Sequence, residues 1–160
     1  MAASRRVRVI ACGNPQAGDD ALGLLAAEAL RAWMPDDVEV VQAGPATRVL
    51  ELLDDTEVAI VIDAVRAPDG ARTPGTLVRA EGDGDGLPAE LRGSLSSHGL
   101  GLAEAVGLAA ALGHAPRLIF HGVEAAGVEM GSPVSQAVSA AMPALLEAIL
   151  TDVRLARAAS

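Results

Sequence analysis

Two adjacent acids close the segment Gly13-Asn14-Pro15-Gln16-Ala17-Gly18-Asp19-Asp20, the first place where this chain could do chemistry. The segment follows an apolar run, Val7 to Cys12, and opens an apolar-periodic one, Ala21 to Met34, so it reads as strand, glycine-bounded loop and helix. One of the pair, Asp19 or Asp20, suits a helix N-cap, and the other exceeds that need. In an open α/β sheet, ligands bind beyond the carboxyl ends of the strands, which is where this loop falls. Asp63 ends the all-apolar run Val58-Ala59-Ile60-Val61-Ile62 and reaches the same edge, where it could also cap a turn or pair with Arg66. If the first and third strands are neighbours, as short right-handed crossovers commonly arrange, Asp20 and Asp63 converge on one crevice. His98 follows Ser96-Ser97 and precedes a helix starting near Gly99, again at an element end. Two carboxylates and one imidazole suit a borderline divalent ion such as zinc or nickel, with positions left over for water or substrate.

Other reactive side chains have plainer readings. Cys12 ends an apolar strand and is expected to be buried core rather than a nucleophile. His114 is a helix-end residue, favourable with the dipole when charged, and His121 lies on the last strand as core or support for the site. Ser96 and Ser97 lack the Gly-x-Ser-x-Gly elbow of a serine nucleophile. The run Glu81-Gly82-Asp83-Gly84-Asp85-Gly86 resembles a calcium loop only superficially, because the bidentate twelfth-position Glu and the flanking helices of an EF-hand are missing, and it reads as a solvated loop.

The elements that must position these residues alternate. Strand-like runs occur at Val7 to Cys12, Val38 to Gln42, Val58 to Asp63, Thr76 to Ala80 and Arg117 to His121. Helical patterns lie at Ala21 to Met34, Arg48 to Asp54, Gly99 to Leu112 and Val134 to Leu150. Strands alternating with helices predict a three-layer α/β/α sandwich with a mainly parallel sheet of about five strands. Thr76 to Ala80, entered through Pro74-Gly75, could run antiparallel and make the sheet mixed. The chain is expected to form one domain over residues 1–160, with flexible ends at 1–6 and 152–160.

Composition narrows the function. The chain has 160 residues and is 51% hydrophobic, enough for a sizeable core, yet it holds one Trp, one Phe and no Tyr. Stacking platforms for bases are therefore scarce. A formal charge of −9 opposes attraction to nucleic acid or to an anionic membrane surface, so neither is an expected partner. All 12 basic side chains are arginine, which excludes Schiff-base and phosphate-binding lysines. A single cysteine fits a reducing compartment, and the apolar run after Arg5 and Arg6 is too short for a signal or membrane segment, so a cytoplasmic protein is expected.

Known α/β sites fit poorly. A Walker loop needs Gly-Lys-Ser or Gly-Lys-Thr, and Gly13 to Gly18 does not match a dinucleotide fingerprint. A phosphoacceptor receiver domain also has an acidic pair after its first strand and an aspartate after its third, but it uses a lysine that this chain lacks. A non-catalytic module that takes a divalent ion in the acidic crevice stays open on the residues alone.

Taken in order along the chain, these motifs resemble the hydrogenase maturation endopeptidases, which remove a C-terminal extension from the large subunit of nickel-iron hydrogenases. The resemblance rests on Gly13 to Gly23 with its paired acids, on Ile62-Asp63-Ala64, on Ser97-His98-Gly99-Leu100-Gly101-Leu102, and on Gly122-Val123-Glu124 with Gly131-Ser132-Pro133-Val134. It implies a metal-meeting and catalytic trio of Asp20, Asp63 and His98. It also implies that nickel arrives with the large-subunit precursor, so that the protease, acting as a monomer, keeps no permanent cofactor, although zinc or another divalent ion can occupy the site in vitro. Three departures stand out. Ala43-Gly44-Pro45-Ala46-Thr47 replaces a Gly-Gly-Thr-like loop, Glu124-Ala125 replaces Glu-Pro, and Asp20 stands where some members carry glutamate.

Overall fold

The computed structural model describes residues 6–44, 48–82, 87–88, 91, 99–113 and 116–158. Five strands, β1 (Val7–Cys12), β2 (Val38–Gly44), β3 (Val58–Val65), β4 (Leu77–Gly82) and β5 (Arg117–Glu124), form one sheet in the order β2-β1-β3-β5-β4. β1 pairs in parallel with β2 and β3, and β3 in parallel with β5. The edge strand β4 runs antiparallel to β5, which makes the sheet mixed.

Alternation along the strands builds two cores. Val7, Val9, Ile60 and Ile62 face α1 (Leu22–Leu30) and the long last helix α4 (Gln136–Ala158), packing on Leu22, Leu30, Leu145 and Ile149. Ile10, Cys12, Ala59 and Val61 face the opposite layer, which holds α2 (Val49–Leu53) and α3 (Gly99–Ala111), and pack with Leu53, Leu102 and Phe120. Because every residue of β3 is buried, its continuous apolar composition is that of a strand covered on both faces. The three-layer α/β/α arrangement read from the alternation of elements is the observed one.

Helix limits differ from the sequence reading at both ends of the chain. The periodic run Ala21 to Met34 is divided into a 3-10 turn at Gly18–Ala21, the α-helix Leu22–Leu30, and a second 3-10 turn at Arg31–Trp33. Pro35 follows Met34 and pushes it to extended backbone, which ends the helical run. The last helix does not stop at Leu150, and the flexible end expected from residue 152 is corrected for 152–158. That segment is helical, with Asp152, Val153 and Ala156 buried in continuation of the stripe begun by Leu145 and Ile149. Among the described residues, no helix is long and apolar enough to cross a membrane.

Candidate active site

The loop after β1 is shaped by close approach. Gly13 adopts φ +126°, a left-handed value that favours glycine, and its missing side chain leaves room for the Asp20 carbonyl. Gly23, at the start of α1, lies so near the sheet that a Cβ there would stand 2.5 Å from the Cys12 carbonyl oxygen and 2.9 Å from that of Ile62. The helix thus packs onto the ends of β1 and β3, and it brings the preceding acids over the same edge.

The two acids have separate tasks. Neither caps a helix through its side chain. Asp19 is buried and reaches across to the loop after β5: its Oδ2 accepts from the Ala126 N–H at 2.8 Å, the Gly127 N–H at 3.3 Å and the Ser135 hydroxyl at 2.9 Å. Its Oδ1 accepts from the Ser135 N–H at 2.6 Å. Ser135 in turn accepts the Val138 N–H at the start of α4, so Asp19 fastens the first loop to the last helix. Asp20, fully buried, instead accepts the Asn14 N–H at 2.8 Å through Oδ2. Asn14 Oδ1 accepts the Gln16 N–H at 2.9 Å, the side-chain turn that holds this loop.

Asp63 comes from the central strand. Ala11 pairs with Ile62 across β1 and β3, which places Asp63 next to the Cys12 end of β1. Its side chain is buried, with Oδ1 accepting the Ala64 N–H at 2.8 Å. Burial first and the Asp20 charge second push its carboxyl up to about 8, against the lowering effect of the Ala64 N–H. Cys12 reports the same neighbourhood: burial, then the charges of Asp63 and Asp20, raise its thiol well above the ordinary value. A thiol held neutral in this way is a poor nucleophile. Asp20 and Asp63 are thus both buried, near enough for the charge of Asp20 to oppose ionisation of Asp63, and β1 and β3 are neighbours.

His98, the third expected member, lies outside the described residues, as do His114, Ser96 and Ser97. Among the described residues, no group of three or more His, Cys, Asp or Glu is placed to hold a metal ion. His121 belongs to a different cluster. It pairs with Ile62 and Arg79 on the neighbouring strands, one position before the pairing of Gly122 with Asp63. Strand alternation therefore turns it to the face opposite Asp63. There its Nε2 lies 2.6 Å from Asp152 Oδ2, while Arg79 donates to the same carboxylate at 2.9 and 3.0 Å.

A family model described as HycI, hydrogenase maturation protease, matches residues 25–152. The chain belongs to the hydrogenase maturation protease family. The match includes Asp63 and His98 and begins just after Asp20. Among solved structures, the chain is similar to the hydrogenase maturating endopeptidase HybD from E. coli, with 28% identity, 93% of this chain and 92% of that one covered, and a TM-score of 0.81. It shares its fold with the [NiFe] hydrogenase maturation protease HybD from Thermococcus kodakarensis, at 24% identity, coverage of 91% and 97%, and a TM-score of 0.72. No curated protein matches it significantly.

Sequence reading missed two features around this edge. One is the cluster of buried Asp152 and His121 with the more exposed Arg79, whose signal was an acid on the apolar stripe of the last helix, at the same helical spacing as Leu145 and Ile149. The other is Glu124 at the end of β5. Its carboxylate accepts the Ala67 N–H at 3.0 and 3.2 Å and pairs with Arg72 Nε at 2.9 Å, joining the loops that follow β3 and β5.

Proposed function

We propose that this endopeptidase removes the C-terminal extension of a nickel-loaded large-subunit precursor of a nickel-iron hydrogenase, with Asp20, Asp63 and His98 meeting the nickel that the precursor carries. The observation that carries the reading is the burial of Asp20 and Asp63 together at the carboxyl edge of β1 and β3. Burial first, and repulsion from Asp20 second, push the Asp63 carboxyl up to about 8. A divalent ion entering with the substrate supplies the missing positive charge and displaces the Asp63 proton. Nickel accepts carboxylate and imidazole ligands, and cysteine thiolates of the precursor can complete its coordination.

In this role the chain's own groups bind the metal-bearing part of the substrate, orient it and handle a proton. Nickel held by Asp20, Asp63 and His98 would supply Lewis-acid polarisation of the scissile carbonyl or of a water molecule, or would serve for docking alone while a carboxylate acts as the base. Asp63 gives up its proton when the ion enters, and the carboxylate so formed is available as a general base beside the scissile bond. Asp19 keeps the loop that bears Asp20 in place without entering the chemistry. The test is incubation of the purified protein with nickel-loaded precursor, followed by mass spectrometry of the large subunit. Loss of the C-terminal extension is expected, and an intact precursor under conditions where both proteins are folded overturns the reading.

A further inference from the structure

Beside the acidic crevice lies a pocket of about 560 Å³ between the loops that follow β3 and β5, with Arg66, Arg72, Pro68, Pro74, Glu124 and Ala126 among its walls. Two guanidinium groups against one carboxylate leave it positively charged, in a chain whose formal net charge is −9. Arg66 is exposed and makes no hydrogen bond or ion pair among the described residues. Arg72 gives its Nε to Glu124 at 2.9 Å, but its Nη2 is buried with no hydrogen-bond partner among the described residues. A buried donor left unpaired costs about 1–3 kcal/mol. A small rotation of the guanidinium toward an acceptor carried into the pocket would remove that cost.

The pocket and the two acids are linked through short stretches of chain. Arg66 follows Asp63 by three residues, a span of about 10 Å in extended chain. On the other wall, the Ala126 N–H donates to Asp19, the residue before Asp20. We infer that this pocket is a substrate subsite that takes a carboxylate of the precursor's C-terminal extension, read by Arg66 and Arg72. The inference rests on the proposed trimming reaction. An extended substrate rises by about 3.3 Å per residue, so an acidic side chain within about three residues of the scissile bond would reach the two arginines. The terminal carboxylate of a short or folded-back extension offers the same chemistry. Glu124 fixes Arg72 in the wall, and Arg66 is the mobile partner that closes on the anion.

The experiment measures trimming of nickel-loaded precursor by the wild type, Arg66→Gln, and Arg72→Lys, which keeps the charge beside Glu124 and loses the fork. Each variant is expected to raise KM about tenfold, the loss of one charge-assisted hydrogen bond, with kcat within about twofold. Two altered substrates separate the sources of the carboxylate. Changing acidic residues just beyond the scissile bond to their amides raises KM if a side chain is read, and lengthening the C-terminus with Gly and Ser raises it if the terminus is read. Either result supports the subsite. A wild type that trims while both arginine variants keep its KM overturns the inference and leaves the proposed reaction standing. So does a KM indifferent to both substrate changes. A wild type that does not trim at all overturns the reaction and the subsite with it.

Discussion

Asp19 accepts both the backbone N–H of Ser135, at 2.6 Å, and its hydroxyl, at 2.9 Å, across 116 residues of sequence. The neighbouring Asp20 is bonded within its own loop. Its Oδ2 contact is local, to the N–H of Asn14. Two adjacent, chemically identical residues are thereby separated into a fastener and a site carboxylate, and substitution should separate them too. Asp19→Ala removes the acceptor of four partly buried hydrogen bonds, and because water can reach the freed donors we expect a loss of about 2 kcal/mol. Asp20→Asn keeps an oxygen for the Asn14 N–H, so it should fold normally and lose trimming. Urea unfolding beside the processing assay checks both. An Asp19→Ala protein as stable as the wild type would remove the fastener role.

Asp63 should make the metal-free protein less stable as pH rises. Its folded value, about 8, stands above the ordinary carboxyl value of 3.8. The stabilising contribution of the protonated carboxyl is therefore complete below about pH 4, declines as the unfolded chain ionises, and is gone above about pH 8. Asp63→Asn holds the group neutral at every pH and lets the amide oxygen accept the Ala64 N–H. We expect it to be more stable than the wild type by a few kcal/mol above pH 8, to differ little near pH 4, and to lose trimming. Denaturant unfolding in the presence of a chelator at both ends of this range gives the comparison. A gain that does not grow with pH would contradict the raised value.

Much of this arrangement was legible in the residues. The run of five apolar residues ending in Asp63 reads as a doubly covered strand with an acid at its end, and β1 beside β3 is the arrangement that short right-handed crossovers commonly give. The division of labour between Asp19 and Asp20 was not legible. It depends on Ala126, Gly127 and Ser135, partners more than a hundred residues away that no local pattern ties to the first loop. The Arg72–Glu124 pair was hidden for the same reason. Arg72 lies in a loop of Gly, Pro and charged residues, where an ordered arginine and a solvated one have the same local sequence.

Cys12 should be dispensable for catalysis. Its thiol is buried and held neutral by its surroundings, with Asp63 and Asp20 opposing ionisation further. Cys12→Ala is expected to cost about 1 kcal/mol of stability and to leave kcat unchanged. Mass spectrometry of the trimmed subunit, with thermal unfolding alongside, tests this. Lost processing with an unchanged melting curve would point to a cysteine nucleophile.

Asp152 should matter to stability and not to the reaction. Burial opposes its ionisation, but Arg79 and His121 outweigh that effect and hold its carboxyl below the ordinary value. The stabilisation is therefore present at neutral pH and lost as pH falls through the acid range. Asp152→Ala leaves His121 without its acceptor and Arg79 with Glu81 alone, and because Arg79 is partly solvated we expect a cost of about 2 kcal/mol rather than the larger cost of a fully buried pair. The cluster sits on the face of the sheet opposite Asp63, so kcat for trimming should stay within about twofold. A large fall in kcat at unchanged stability would tie the cluster to catalysis.

Nickel dependence is the sharpest consequence of placing the acids where the substrate brings the metal. Asp20 and Asp63 repel each other in a site that excludes water, so binding is favourable only for a partner that carries positive charge into it. A precursor without nickel lacks that charge, while free zinc or magnesium lacks the precursor's thiolates, which soft-ligand preference makes part of a nickel site. The loaded precursor is then distinguished from the unloaded one by differential affinity alone, which is how a checkpoint on metal insertion would work. We expect apo-precursor to be trimmed at least about a hundredfold more slowly than the loaded form, a difference of about 3 kcal/mol, and free zinc or magnesium not to restore the rate. Matched processing assays on folded apo and nickel-loaded precursor decide it. Equal rates would mean that Asp20 and Asp63 do not sense nickel and that the crevice acts on the peptide alone.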